Sequence, residues 1–483
     1  MSNTDFELSP VSFSRVSRRG VLLGLTGPQL VTASIAVVII VLSLYLAGGE
    51  GLIWTSPLWA ATIALTWLPV AGRRAVEWVP LTGHWVARVA AKQTVYRKKI
   101  TKPRPAGTLA LPGDAAGLRM HLDPDTDAVM VHDPHNATLT VLLEVSHPAF
   151  VLLDPGEQER RVHAWGRVLA TVCRSANIAR LQVLERTLPD AGTGLSQWWA
   201  QHGHDDGSWV AGIYRDLVDR AGPAGERHIT TLSLALDMRA ASRPIRSAGG
   251  GVKGAAHVLR QEMTTLVSAL RTADLRPGPW CGPGELAVML RSAYDPQIAG
   301  TLERAGTLGR DLATAGPVAV DEHWGSLRTD SAHHAVLWIS DWPRSQVYPG
   351  FLAPILLSSG IRRSLTLLCD PVRTDQAARS IRKLRTEYIS DAAQRAKIGQ
   401  IDDAQQTAEY RDVLRQEADM VAGHGVFRYT GLISVSADTE TELEAAIAAI
   451  QQAAIQASLE TRLLVGQQAS AFVAAALPLC RGI

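Results

Sequence analysis

Leu30-Val31-Thr32-Ala33-Ser34-Ile35-Ala36-Val37-Val38-Ile39-Ile40-Val41-Leu42-Ser43-Leu44-Tyr45-Leu46-Ala47 lies inside an uncharged run that extends from Val21 to Gly49. As a helix, a stretch of this length matches the roughly 30 Å of hydrocarbon in a bilayer. Gly48-Gly49-Glu50-Gly51 reads as a turn, and a second uncharged stretch from Leu52 to Gly72 carries Trp54, Trp59 and Trp67, a residue type suited to membrane interfaces. The two runs together read as a transmembrane helical hairpin over residues 30–72. A buried helix pair of a large soluble protein shares the pattern, but two adjacent uncharged runs favour insertion.

The flanks give a direction. Arg15, Arg18 and Arg19 precede the first run, and Arg73, Arg74, Arg88, Lys92, Arg97, Lys98, Lys99, Lys102 and Arg104 follow the second. An excess of Lys and Arg on both sides predicts a multi-pass protein of the cell's inner (cytoplasmic) membrane with N and C termini in the cytoplasm. Arg73, Arg74, Lys92, Arg97, Lys98 and Lys99 are then the candidate contacts to lipid headgroups, a plainer use of such a collar than nucleic-acid binding. Ser17-Arg18-Arg19-Gly20-Val21-Leu22-Leu23 also has the form of a twin-arginine export signal, but Pro28-Gln29 interrupts its apolar run and no small-residue cleavage site follows.

Of the 483 residues, about 380 lie beyond the hairpin and its collar, enough for two or three compact units. The net charge of +2 argues against a nucleic-acid surface spread over the whole molecule, so no direct nucleic-acid binding is expected. Cys173, Cys281, Cys369 and Cys480 are isolated from one another, with neither a CxxC pair nor zinc spacing, which fits a reducing compartment.

The expected class is α+β: a cytoplasmic N-terminal segment (1–29), the hairpin (30–72), a basic juxtamembrane segment and linker (73–107), a first lobe (108–277), a connecting region (278–331) and a second lobe (332–483). In the first lobe, Ala128–His132 and Ala137–Val145 read as paired strands about the turn Asp133-Pro134-His135-Asn136, followed by alternating helices and strands. In the second, strands near 335–342, 364–369, 426–435 and 461–465 flank helices near 351–358 and 440–458. That order predicts a ferredoxin-like βαββαβ unit with residues 374–421 inserted as a helical hairpin turning near Gly399. The mixed charge of the insertion suits a solvated face, and its length beyond what a compact unit needs suits an arm for a partner. No repeat of 20 to 50 residues is visible.

Chemical motifs are sparse. Gly249-Gly250-Gly251-Val252-Lys253-Gly254 lacks the glycine spacing and the hydroxyl of a P-loop, so it reads as a loop before a helix. HExxH, GxSxG and dinucleotide fingerprints are missing. His202, His204 and Asp205, and likewise His132, Asp133 and His135, have metal-ligand types without a second cluster to complete a coordination shell. The expectation is a non-enzyme with no catalytic residues, metal or cofactor.

Two segments carry a resemblance. Ser17 to Leu30, SRRGVLLGLTGPQL, resembles the opening of actinobacterial integral-membrane proteins encoded with conjugative type IV secretion components. Gly466 to Leu479, GQQASAFVAAALPL, resembles the segment that closes the N-terminal region of TraC- and VirB-type secretion ATPases, after which the nucleotide-binding domain follows. The resemblance implies a PrgI-like hairpin joined to the non-ATPase half of such a protein. It also implies partners: the membrane, a separate secretion ATPase, other channel subunits, and oligomerisation within a larger assembly. Phe472 and Leu477 are the candidate anchors for that ATPase, because a buried aromatic or aliphatic side chain carries much of an interface's energy. They serve equally to pack the last helix onto its own lobe. An EccE-like component of a type VII system and a membrane-tethered enzyme with a dispersed site are the rival readings.

Overall fold

The structure, a computed structural model, describes residue 13 and residues 25–70, 73–99, 101, 107–147, 150–189, 193–204, 206–221, 226–304, 311–398 and 404–483. It divides into an apolar unit (15–94) and a body formed by residues 1–14 and 95–483.

The apolar unit contains α1 (Gly27–Trp54), α2 (Ser56–Trp67), the short paired strands β1 (Pro69–Val70) and β2 (Arg73–Arg74), and α3 (Ala75–Ala90). Thr26 and Gln29 form a capping box at the start of α1. Its ladder breaks at Ala47 and Gly48, where Gly48 adopts φ 59°, a conformation that only glycine enters freely. The chain then folds back. Gly51 fits because a Cβ there would stand 2.7 Å from the Ser43 carbonyl oxygen. Thr55 Oγ1 donates to Ser43 Oγ at 2.8 Å, and Gln29 Nε2 donates to the Thr66 carbonyl at 3.1 Å.

This geometry corrects the expected topology. Among the described residues one helix, α1 with 28 residues, is long and apolar enough to cross a membrane. Of the second uncharged run, Leu52–Trp54 belong to α1, and the separate helix α2 has 12 residues, about 18 Å at 1.5 Å per residue and so short of a bilayer's roughly 30 Å. A multi-pass inner-membrane protein with both termini cytoplasmic is therefore not what the fold supports. The apolar side chains of α1 are largely exposed, unlike those of a soluble core helix, whereas a signal sequence near the start of a chain shares its character.

The body's first half contains β3 (Val95–Arg97), β4 (Arg119–Leu122), β5 (Val129–Asp133), β6 (Thr138–Ser146), α4 (Pro155–Arg174), β7 (Ile178–Pro189), α5 (Thr193–His202), α6 (Trp209–Ala221), β8 (Glu226–Asp237), α7 (Ser242–Ser247), α8 (Gly251–Thr272), β9 (Arg276–Trp280) and α9 (Pro283–Tyr294). The second contains α10 (Ala299–Arg304), β10 (Ala319–Glu322), β11 (Leu327–Arg328), β12 (His333–Asp341), α11 (Ala353–Leu356), β13 (Arg362–Val372), α12 (Thr374–Ile398), α13 (Ala404–Val421), β14 (Val426–Ala437), α14 (Glu440–Gln456), β15 (Glu460–Leu463) and α15 (Gln468–Ala476).

One antiparallel sheet runs through both halves in the order β3-β10-β11-β12-β14-β13-β7-β8-β6-β5-β4, with β15 on β12 and β9 on β6. Leaving out β3, the order is palindromic about the β7–β13 pair, whose register runs from Arg363 opposite Thr187 to Cys369 opposite Leu181. Each half repeats two short strands, a strand, a helix, a strand, a helix pair, a strand, a helix, a strand and a closing helix. The repeat escapes sequence inspection because it is fold-sized and its helices differ in length: α4 has 20 residues where α11 has 4.

Three apolar cores follow from this order. α4 and α8 cover β6, β7 and β8, while α14 covers β12 to β15. The third core joins the halves: Leu286 and Leu290 of α9 and Phe472 of α15 pack together with Val129, Val131, Val320 and Val336 from strands of both.

The segment 278–331 is thus more than a connection, since it supplies α9 to that shared core and two strands to the sheet. Pro277 and Pro279 stand in β9, which proline tolerates because the strand pairs on one side, with β6. The inserted helices 374–421 form as expected, while the proposed turn at Gly399 lies outside the described residues. The body is a mixed α+β unit built on one large antiparallel sheet.

Gly316 marks where the outer segments meet, since a Cβ there would lie 2.2 Å from the Ala110 carbonyl oxygen. Gly316→Ala should therefore destabilise the body by about 1–3 kcal/mol through overpacking. A wild-type unfolding midpoint in a denaturant titration would contradict this close approach.

Candidate functional site

The C-terminal motif flagged by sequence forms α15 and the turn after it. Small residues, Ala474, Ala475 and Ala476, let the helix backbone lie against the sheet. The last carbonyls of a helix have no partner within it, so burial requires outside donors. Ser364 Oγ and Thr366 Oγ1 of β13 donate to the Ala475 carbonyl at 3.0 and 2.6 Å. From the other half, Gln182 Nε2 of β7 donates to the Leu477 carbonyl at 2.9 Å, and Ser233 Oγ of β8 donates to the Pro478 carbonyl at 2.9 Å. Gln182 Oε1 accepts from the Cys480 amide at 2.7 Å. At the helix start, Gln468 Oε1 accepts from the Val336 amide at 2.9 Å and Glu322 Oε1 accepts from the Ala469 amide at 3.0 Å.

Phe472 and Leu477 are therefore core residues, 1% and 0% exposed. Phe472 packs between the tilted rings of Tyr294, at 5.1 Å, and His334, at 4.6 Å. The docking role expected of this pair is corrected: neither presents a surface to a separate ATPase in the folded chain, and the self-packing alternative holds.

His334 is closed in by this contact. Thr329 Oγ1 donates to the Tyr294 carbonyl at 2.6 Å, so it accepts from His334 Nε2 at 2.8 Å, which leaves Nδ1 to accept from Ser436 Oγ at 2.7 Å. Burial pushes the imidazole down to about 3, so it is a neutral structural group rather than a base at neutral pH. The four cysteines are buried or partly so, and burial raises the Cys281, Cys369 and Cys480 thiols to about 12, as expected of inert thiols.

The basic collar splits. Arg74, Lys92 and Lys99 are exposed, and Arg73 lies in β2. Arg97 instead sits in β3 and pairs with Asp321 at 2.7 Å, holding that carboxyl below the usual range through the hydrogen bond, while Lys98 Nζ donates to the Ala313 carbonyl at 3.3 Å. These two are held by the body and are less free for headgroups than Arg74, Lys92 and Lys99.

Of the remaining candidates, Asp205 lies outside the described residues. Asp133 accepts from the His135 and Asn136 amides in the β5–β6 turn, and His202 stacks on Trp198 at 5.2 Å. No cluster of three or more metal-ligand side chains forms among the described residues. Gly249, Gly250 and Gly251 all have positive φ in the turn from α7 into α8, and a Cβ on Gly254 would stand 2.4 Å from the Ile245 carbonyl oxygen, so these glycines serve a tight helix junction.

Sequence reasoning missed one surface. α5 and α6 occupy in the first half the place that α12 and α13 occupy in the second. In the latter pair Ile381, Tyr388 and Val413 are buried between the helices, and Tyr388 OH donates to Glu409 at 2.8 Å. In the former, among the residues whose burial is described, Ala211 and Val218 of α6 are buried; Tyr214 meets Trp199 of α5 at 4.6 Å, while Trp209 (79% exposed), Val210, Ile213 and Leu217 (56%) are exposed, as is Trp198. The spacing was legible as an amphipathic stripe, but not that the fold would leave it uncovered. The chain matches no known protein family and no curated protein.

Two outcomes follow from the buried site. Phe472→Ala should cost about 3–5 kcal/mol and lower the yield of folded protein, as loss of a core aromatic does; a variant with wild-type stability would contradict the packing. His334 carries a depressed folded value, so its contribution is complete above about pH 6.5 and is lost as pH falls toward 3, at up to about 1.4 kcal/mol per unit. Between pH 6.5 and 4, denaturation midpoints should drop less steeply for His334→Gln than for the wild type.

Proposed function

We propose that the chain is a non-enzymatic assembly subunit of a type IV secretion-like conjugation machine that positions a separate ATPase. The attribution to secretion rests on the resemblance of segments 17–30 and 466–479. The observation that carries the assembly role is the uncovered face of α6. An apolar stripe with two tryptophans and a tyrosine at its edges has the composition of a protein interface, and such faces on soluble bodies mark binding sites. The exposed apolar helix α1 supports attachment to lipid, with Arg73, Arg74, Lys92 and Lys99 as headgroup contacts.

We further infer that each half is a ferredoxin-like unit. The strand orders β9-β6-β8-β7 and β15-β12-β14-β13, each interrupted by a helix pair between its second and third strands, support this reading.

Trp209→Glu with Leu217→Glu puts charge on a face already exposed, so the fold should survive. Recovery of the P-loop ATPase with the tagged full chain from a detergent extract should fall about tenfold or more. Undiminished recovery with a folded double variant would sink the role assigned to α6.

A further inference from the structure

Phe13, the one described residue ahead of position 25, belongs to the body and sits in an aromatic pocket of its second half. Its ring stacks on Trp342 at 5.0 Å between centroids, meets Phe351 edge-on at 5.5 Å, and lies 6.1 Å from Tyr429. Trp342 and Tyr429 close the pocket by packing edge-to-face at 5.2 Å. Gly431 makes room for this arrangement: a Cβ at that position would lie 2.9 Å from Trp342 Cζ2 and 2.7 Å from Ile339 Cδ1. Offset and edge-on ring contacts of this kind are worth about 0.5–1.5 kcal/mol per pair beyond the area they bury.

The other end of the apolar unit is held as well. Val95, Tyr96 and Arg97 pair with Asp321, Val320 and Ala319, the Lys98 amide donates to the Val318 carbonyl at 2.8 Å, and Arg97 adds its ion pair. Residue 13 and residues 95–98 are thus both fastened to the body.

We propose that the pocket formed by Trp342, Phe351 and Tyr429 is a docking site for the chain's own N-terminal segment, with Phe13 as its anchor. The inference goes beyond the assembly role and is independent of α6.

The test replaces Phe13 with photoreactive p-benzoylphenylalanine in the full chain and irradiates it both in native membranes and after purification. The expected product is an intrachain crosslink whose digest maps to Trp342, Phe351 or Tyr429, lost when Phe351 is also replaced by alanine. Crosslinks confined to other sites, to lipid or to a second copy would overturn the docking, as would a mature chain that lacks position 13. Recovery of the ATPase partner is scored on the same sample, so failure of the assembly role is read separately from failure of the clasp.

Discussion

The body depends on burying a short helix whose polar ends are satisfied by both halves of the sheet. α15 is buried from Ala471 to its end, and an unpaired buried carbonyl costs roughly 1–3 kcal/mol. Gln182 and Ser233 from the first half and Ser364 and Thr366 from the second supply the donors, and alanines on the helix let those short side chains reach its backbone. Polar residues within apolar strands, which read locally as interruptions, are what allow the terminal helix to be buried. They also make the second half's last helix a structural part of the first.

The β7–β13 pairing provides the complementary connection. It merges two similar units into one sheet, and Arg180 of β7 reinforces it by reaching Asp370 of β13 through NH2 at 2.8 Å while donating from NH1 to the Cys480 carbonyl at 3.2 Å. A pair of units joined this way has one continuous core beneath α9 and α15, so a change at the C terminus is felt in residues far away in sequence. For function, the consequence is a rigid platform whose distinctive features lie at its edges: the helix pairs α5–α6 and α12–α13.

These pairs show how a common position diverges. α12 and α13 are long enough to bury their apolar residues against each other and to place ion pairs such as Arg385 with Glu417, at 3.1 Å, outside. α5 and α6, with 10 and 13 residues, bring Trp199 and Tyr214 together at 4.6 Å, while Trp209, Val210, Ile213 and Leu217 stay exposed. One pair is complete in itself while the other is left to be covered.

Much of the local structure was determined by sequence alone. The β5–β6 hairpin, α14 and the inserted helices follow from period, turn residues and composition, which act over neighbouring positions. The same information misled at residues 52–72, where an uncharged run looked like a second span although Leu52–Trp54 belong to α1 and the separate helix α2 has only 12 residues. It misled again at Phe472 and Leu477, because an apolar residue carries the same pattern whether its partner is another protein or its own sheet. Only the tertiary structure decided that α15 is buried, that α6 is not, that Phe13 meets Trp342, and that two halves with little visible likeness share one palindromic sheet. Each of these depends on contacts between residues hundreds of positions apart or on whether a face is covered, and neither quantity is written in any local window of the chain.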